Sequence, residues 1–220
     1  ALVACEAAVA TIPAEPPTPE RARVLAGLGQ LLMLLDRWEE SIAVCEEAIE
    51  IALRVGARQA EGHARNSLGL DYAAAGRCDE AITSLRSAIR IAQDVGDADD
   101  IGRGYVNLAE ALRDCGDQRG SMALIREGVA VARAVGISRT YGTFIEQNGI
   151  MVAFDLGDWD EARRLAEAST SIEQAGRQSE RYLLAHWVPL LVATGDPRAE
   201  ERLAELRSML VGYPVETQFN

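Results

Sequence analysis

The hydrophobic residues of this chain follow helical spacing, and the segments that they define end at a fixed interval. Val55-Gly56, Val95-Gly96, Val135-Gly136 and Ala175-Gly176 are 40 residues apart. Within each interval the apolar positions recur at i, i+3 and i+4, which predicts amphipathic helices and no sheet. A period of roughly 20 to 50 residues indicates stacked supersecondary units. The pattern therefore predicts a solenoid, whose extended surface favours binding over catalysis.

The second interval carries the clearest unit. Its characteristic positions are Leu68-Gly69, Tyr72, Gly76, Ala81, Leu85 and Ala88. At this spacing they resemble the tetratricopeptide repeat, with a second helix and linker longer than in its form of about 34 residues. We expect Gly69 and Ala81 to mark the close approach of two antiparallel helices. Gly76 is expected to end the first helix in the left-handed region.

Extended along the chain, the pattern predicts an all-α fold. The expected architecture is a right-handed superhelical solenoid of antiparallel helix pairs, with repeats of about 40 residues and about eleven helices. The expected units are the second helix of a truncated repeat at 1–12, repeats at 20–56, 59–96, 99–136 and 139–176, and a degenerate fifth repeat at 178–211. The chain is thus expected to open inside a repeat and to be a segment of a longer array.

Two departures from the period carry further expectations. The fourth unit reaches Gly157 one residue late, so its first helix is expected to hold an extra residue. In the fifth unit Pro189 is expected to kink the first helix. At the end of the chain, Gly212-Tyr213-Pro214 is expected to close the last helix.

Composition narrows the classes of function. The chain has 220 residues, of which 48% are hydrophobic and 25% charged, and its net charge is −12. Such a charge repels nucleic-acid phosphate, so direct nucleic-acid binding is not expected. All 22 basic residues are arginine. The absence of lysine excludes a P-loop lysine and a Schiff-base lysine from this chain.

The four cysteines have no CxxC spacing, and the gaps between them follow the repeat. They are Cys5, Cys45, Cys78 and Cys115. We expect them to be buried, reduced core residues of a cytoplasmic protein, with zinc binding or a disulfide as minor alternatives. Trp38, Cys78 and Trp159 share one position at the start of second helices, where core packing is the expected role. No apolar run reaches about 18 residues, so no membrane span is expected.

Catalytic motifs are missing from the sequence. It contains no GxxxxGK[ST], HExxH or GxSxG,. Its two histidines, His63 and His186, are about three repeats apart, which argues against a histidine metal site or a catalytic triad. We therefore expect no catalytic residues, no metal and no cofactor.

The first helices of a tetratricopeptide-like stack line its concave groove. Arg23, His63 and Arg103 stand at equivalent positions 40 residues apart, and they predict a basic ladder along that groove. Such a ladder suits an extended acidic peptide or an acidic domain. The alternative is solvated surface side chains, paired with Asp71 or Glu110.

Further residues are expected on the same face. Asn107 and Asn148 precede the small residue of their first helices and belong either to the groove or to hydrogen bonds between helices. The candidate groove residues are Arg23, His63, Asn66, Leu70, Arg103, Asn107, Glu110 and Arg113. A hydrophobic ligand against Met33, Leu34, Leu70 and Tyr72 is a further alternative.

Several motifs together suggest a closer resemblance. They are residues 20–30 (ERARVLAGLGQ), 60–69 (AEGHARNSLG), 103–108 (RGYVNL), 139–142 (RTYG) and 157–162 (GDWDEA). They resemble the helical-repeat region of large ATP-dependent LuxR-type, MalT-like bacterial transcriptional regulators. That resemblance covers roughly residues 1–195. It implies an NTPase module before the repeats and a helix-turn-helix domain after them, and no catalytic residue carries over to this chain.

The resemblance implies a sensor or protein-interaction segment that binds a partner protein, a peptide or an inducer, or other domains of the same regulator. Self-association through truncated ends is a further expectation. Two alternatives stay open from the sequence: a free-standing scaffold or adaptor without a transcriptional role, and the accessory domain of an enzyme.

Overall fold

The computed structural model describes residues 2–170 and 177–211. In these ranges it contains eleven α-helices and no strand, which confirms the all-α prediction. The helices are α1 (Leu2–Thr11), α2 (Pro19–Leu34), α3 (Trp38–Val55), α4 (Arg58–Ala74), α5 (Cys78–Val95), α6 (Ala98–Asp114), α7 (Gln118–Ala134), α8 (Thr143–Asp155), α9 (Trp159–Thr170), α10 (Arg177–Thr194) and α11 (Ala199–Leu210).

The helices stack as two layers. The even-numbered helices α2, α4, α6, α8 and α10 contact one another in order and form a continuous inner layer. Helices α3, α5, α7 and α9 each pack between two successive inner helices, and α1 packs on α2. The inner layer presents several helices side by side, so side chains from different repeats meet on one surface.

The second helices form because their apolar residues lie on one stripe. In α5 the buried residues are Ala81, Ser84, Leu85, Ala88, Ile89, Ile91 and Ala92. Asp79 and Glu80 occupy the first turn, where they interact favourably with the helix dipole,. The remaining face is polar and exposed. Helix α5 is therefore held by tertiary packing of its apolar stripe rather than by its intrinsic helix propensity alone.

Small residues set the distance between the helices of a pair. A Cβ added at Gly69 would collide with the side chain of Leu85, and one added at Gly29 would collide with Cys45. Ala81 is fully buried at the same crossing. The close approach expected at Gly69 and Ala81 is therefore present. A larger side chain at Gly69 would force α4 and α5 apart.

Left-handed glycines explain the 40-residue period. Gly96 follows α5 with φ of 73°, and its amide accompanies the closing hydrogen bonds of that helix. Gly76 has φ of 74° after α4, as expected from the sequence. The first such turn is different, because Asp36 adopts φ of 55° where later repeats have glycine. An L-residue with a side chain adopts this region at a cost.

The irregular fourth unit begins with a π turn. Residues Ser138–Gly142 form this turn, in which the Gly142 amide bonds to the Ile137 carbonyl at 3.0 Å. A π turn accommodates one extra residue, which accounts for the late position of Gly157. Helix α10 runs on through Pro189, so the expected break does not end that helix. Ala175-Gly176 and Gly212-Tyr213-Pro214 lie outside the described residues.

The cysteine prediction was wrong for one pair. Cys78, the first residue of α5, forms a disulfide with Cys115, which caps α6. The two are 37 residues apart, because the start of a second helix lies beside the end of the next first helix. Cys45 is a buried free cysteine, and burial raises the pKa of its thiol to about 12.

The tryptophan prediction was also wrong. Trp38 is 39% exposed and Trp159 45% exposed, so neither is a core residue. Trp159 stacks on Phe154 with the ring centres 6.0 Å apart, and Trp38 borders the inner surface. Both stand at the first position of a second helix, where one face of the ring stays outside the stripe. Within the described ranges, no helix is both long and apolar enough to cross a membrane.

Candidate functional site

The inner layer carries a groove of about 310 Å³ between α2, α4 and α6, with Tyr182 of α10 at one end. Its apolar lining includes Met33, Leu70, Val106 and the ring of Trp38. Its polar lining includes Gln30, Ser67, Asp71, Arg103, Asn107 and Glu110. We call this surface the inner groove. A mixed lining of this kind can hold an apolar body while fixing its orientation through a few polar groups.

The predicted residues take three positions relative to the inner groove. Leu70, Arg103, Asn107 and Glu110 line it. His63 and Asn66 lie behind the lining, where each contacts a residue that reaches the groove. Arg113 pairs with the groove residue Asp114 at 2.8 Å, and Arg23 is exposed outside the lining.

The expected basic ladder is instead a closed polar cluster. An Arg103 Nη lies 3.0 Å from His63 Nδ1 and 3.0 Å from the Asp100 carboxylate. A guanidinium only donates, so His63 accepts at Nδ1, and its Nε2 donates to Gln30 Oε1 at 3.0 Å,. The cation of Arg103 is therefore already neutralised by Asp100. This arrangement offers little free positive charge to an acidic ligand, and Asp100 is a partner that neither Asp71 nor Glu110 replaces.

The asparagines connect first helices to one another. Asn107 Nδ2 donates to Asn66 Oδ1 at 2.6 Å, between α6 and α4. Asn148 Nδ2 donates to the Val106 carbonyl at 3.2 Å, and Tyr182 donates to Asn148 Oδ1. Of the two roles considered for Asn107 and Asn148, hydrogen bonding between helices is present for both. Asn107 also lines the groove.

Three carboxylates of the inner groove have no cationic partner within the described residues. Asp36, Asp71 and Glu110 form no ion pair there, although many exposed acids elsewhere do. Asp71 is only 2% exposed, and burial raises its pKa to about 7 against the opposing effect of the Ser41 hydrogen bond. Burial and nearby Asp114 raise the pKa of Glu110, whereas Arg113 lowers it. These groups carry a desolvation cost that nothing nearby offsets.

Sequence reasoning passed over several groups of this surface. Ser67 is 1% exposed, lines the groove, and its hydroxyl has no hydrogen-bond partner. Ser41 donates to the Gly29 carbonyl, as Ser121 does to the Ala109 carbonyl. The 40-residue spacing of Ser41, Ala81 and Ser121 is the signal that could have found these hydroxyls. For Ser67 no such repeat exists.

The tests for chemistry are limited to binding. No group of three or more His, Cys, Asp or Glu side chains within residues 2–170 and 177–211 has the geometry to hold a metal ion. His186 is buried, which lowers its pKa to about 4, and it bonds to the Tyr182 carbonyl rather than to a nucleophile. The inner groove can therefore offer hydrogen bonds, carboxylate charge and apolar contact to a ligand.

Comparison with known proteins identifies the repeats. Residues 20–94, which include α2 to α5 almost entirely, match the model of the tetratricopeptide repeat family. Residues 20–94 are tetratricopeptide repeats. This confirms the tetratricopeptide resemblance for that range. The human protein named tetratricopeptide repeat protein 29 is 29% identical over 96 residues, which are 44% of this chain. Its counterpart from Macaca fascicularis is 26% identical over 139 residues. The chain covers only 20% and 28% of the lengths of these two relatives.

Solved structures extend the tetratricopeptide-like fold over most of the chain. The structure of BtubC (BKLC) from P. vanneervenii matches with a TM-score of 0.72 at 15% identity, over 97% of this chain and 92% of that one. A Rap protein complexed with competence and sporulation factor matches with a TM-score of 0.70 at 15% identity, over 87% of this chain and 54% of that one. At such identities these similarities establish the fold alone.

Proposed function

We propose that this chain is a non-catalytic protein-interaction segment and that its inner groove binds a peptide segment of a partner protein. The observation that carries the proposal is the inner groove itself, in which apolar side chains from three first helices surround polar groups without partners. Such groups gain hydrogen bonds and apolar contact when an extended segment lies on them. The similar Rap fold, which was solved with a factor bound, is consistent with this use of a repeat array.

The proposal has a direct test based on occlusion of the groove. Ala74 is exposed at the end of α4 and lines the groove, whereas Ala134 is exposed at the end of the outer helix α7. A displayed library of random linear peptides is selected on the wild-type chain, and the enriched peptides are then measured on Ala74→Trp and Ala134→Trp. We expect binding to be lost with Ala74→Trp and kept with Ala134→Trp. Failure to enrich any peptide, or equal binding to both variants, would contradict the proposal.

The finer assignment concerns the parent protein. We propose that the segment is the sensor region of a cytoplasmic bacterial transcriptional regulator of the LuxR type, with no direct contact to nucleic acid or membrane. The support is the resemblance of the motifs at residues 20–30, 60–69 and 157–162, together with a net charge of −12 that repels phosphate,. The partner would then be a protein, a peptide, an inducer or another domain of the same regulator. The disulfide removes reduced cysteines as an argument for the cytoplasm,.

The coding sequence on either side of this segment separates the regulator from a free-standing scaffold. A P-loop NTPase module upstream and a helix-turn-helix domain downstream are expected of the regulator. A reading frame that holds further repeats and neither of these domains would favour the scaffold and exclude the regulator. Either result leaves the peptide-binding groove as a separate question.

A further inference from the structure

We propose that the partner segment of the inner groove is basic and that it places an arginine or lysine side chain among Asp36, Asp71 and Glu110. This inference rests on the proposed peptide-binding function and specifies the chemistry of the partner. It replaces the acidic ligand that the expected basic ladder had indicated.

Charge pairing is the first argument. The two arginines at the groove are neutralised within the chain, Arg103 by Asp100 and Arg113 by Asp114. Asp36, Asp71 and Glu110 line the same groove and form no ion pair with any described residue. A buried carboxylate without a cation is costly, and a cation brought by a ligand offsets that cost. The charge that the inner groove lacks is therefore positive.

The helix ends add to this negative potential. Helices α2, α4 and α6 end at Leu34, Ala74 and Asp114, and all three of these residues line the inner groove. The last carbonyls of a helix carry partial negative charge, which favours a cation within about one turn of the end. Three such ends meet at this surface because the first helices of successive repeats run in the same direction. The backbone and the carboxylates thus favour the same sign of ligand charge.

A buried hydroxyl gives an independent sign of a missing ligand. Ser67 lies in the middle of α4, so it reaches the groove through its short side chain. That hydroxyl is enclosed by protein and has no hydrogen-bond partner. Buried hydroxyls without partners are uncommon, because the unmade hydrogen bond costs free energy. A bound segment that supplies a polar group at Ser67 would satisfy it.

The apolar lining favours a long basic side chain over a small cation. Met33, Leu70 and Val106 offer contact to methylene groups, and the partly exposed Trp38 offers an aromatic face. Arginine and lysine combine an aliphatic stem with a charged end, and a guanidinium also stacks on aromatic rings. A peptide carries this side chain together with a backbone that can bond to Asn107 or Ser67.

The experiment uses the peptides enriched by the wild-type chain in the library selection. We expect the enriched peptides to contain more arginine and lysine than the input library and fewer acidic residues. The best-enriched peptide is synthesised and measured by isothermal titration against the wild type, Asp71→Asn/Glu110→Gln and the control Asp79→Asn/Glu50→Gln. The control removes the same charge from exposed positions of α5 and α3.

Each outcome decides the question. Binding about tenfold weaker or more for the groove double variant, with wild-type affinity for the control, supports the basic partner. Enrichment of acidic or neutral peptides that are lost with Ala74→Trp overturns the basic partner while the groove function stands. Absence of any groove-dependent peptide overturns both. Circular dichroism and urea unfolding establish that each variant is folded, and an amidated single arginine serves as the small-cation probe, for which we expect no measurable binding.

Discussion

The hydroxyl of Ser41 lies 2.6 Å from the carboxyl of Asp71, and it also lies 2.8 Å from the carbonyl oxygen of Gly29. A hydroxyl has one hydrogen, so Ser41 can donate to only one of these two oxygens. Protonation of Asp71 resolves the conflict, because its own O–H then donates to Ser41 while Ser41 donates to Gly29. This hydrogen count agrees with the effect of burial, which raises the pKa of Asp71 to about 7.

The first prediction concerns pH. Between about pH 4 and pH 7 folded Asp71 keeps a proton that the unfolded chain releases, so its contribution to stability falls as pH rises through this window. A shift from 3.8 to about 7 sets an upper bound of about 4 kcal/mol on this penalty at higher pH,. Asp71→Asn should therefore gain stability relative to the wild type as pH rises, and should show no such gain below pH 4.

Urea unfolding of both proteins across this pH range measures the difference. The comparison is needed because buried His186, whose pKa falls to about 4, titrates in an overlapping range with the opposite sign. The neighbouring Cys45 stays a neutral thiol, and Arg103 stays charged, throughout the window. Asp79→Asn, an exposed change of the same kind, serves as the control. Parallel curves for wild type and Asp71→Asn would show that Asp71 ionises normally.

The second prediction tests the sign of the groove potential without a ligand. Ala74→Arg should stabilise the chain by roughly 0.3–1 kcal/mol, because it places a cation at the end of α4 and near carboxylates without partners. Ala74→Glu should destabilise it by a similar amount. Both effects should shrink in concentrated salt. Thermal or urea unfolding distinguishes the two variants, and equal stability of the arginine and glutamate forms would contradict a negative groove.

The third prediction compares two glycines of first helices. Gly69→Ala should destabilise the chain by about 1–3 kcal/mol, since the new methyl group meets Leu85,. Gly27→Ala in α2 meets nothing within 4 Å and should stabilise it by about 0.5–1 kcal/mol through helix propensity,. Urea midpoints of the two single variants check the difference. The same direction of change for both would contradict the close approach of α4 and α5.

The fourth prediction separates stability from binding at one residue. Asp36 adopts φ of 55° and lines the groove. Asp36→Gly should raise the free energy of unfolding by about 1 kcal/mol, because glycine takes this conformation without steric cost. It should also weaken the binding of the basic peptide. Asp36→Asn removes the charge while tolerating the conformation, so it should weaken binding with little change in stability. Stronger peptide binding by either variant would exclude Asp36 from the site.

The sequence predicts the helical framework well because the framework depends on local features. Glycines such as Gly76 and Gly96 end helices, small residues such as Gly69 mark crossings, and both signals repeat every 40 residues. Even the irregular start of α8 follows from the late position of Gly157. These features need only backbone geometry, which a repeated pattern specifies.

The candidate site is harder to predict because it depends on contacts between repeats. Arg103 reaches Asp100 and His63 rather than the groove opening, which no periodicity specifies. The Cys78–Cys115 bond joins unlike positions of neighbouring repeats, and its separation of 37 residues falls outside the period. Trp38 shares a position with Cys78, yet the larger ring extends onto the inner surface. Side-chain size and direction decide these cases.

The disulfide also has a mechanical consequence. Stacked helix pairs act as a spring when their ends are pulled, since each pair can unfold and lengthen separately. Cys78 and Cys115 connect two points 37 residues apart, so the span between them bears no load while the bond is intact. The oxidised chain should therefore reach a fully extended length about 130 Å shorter than the reduced one. Pulling single molecules with and without dithiothreitol measures that difference, and identical lengths would show that the bond is not formed.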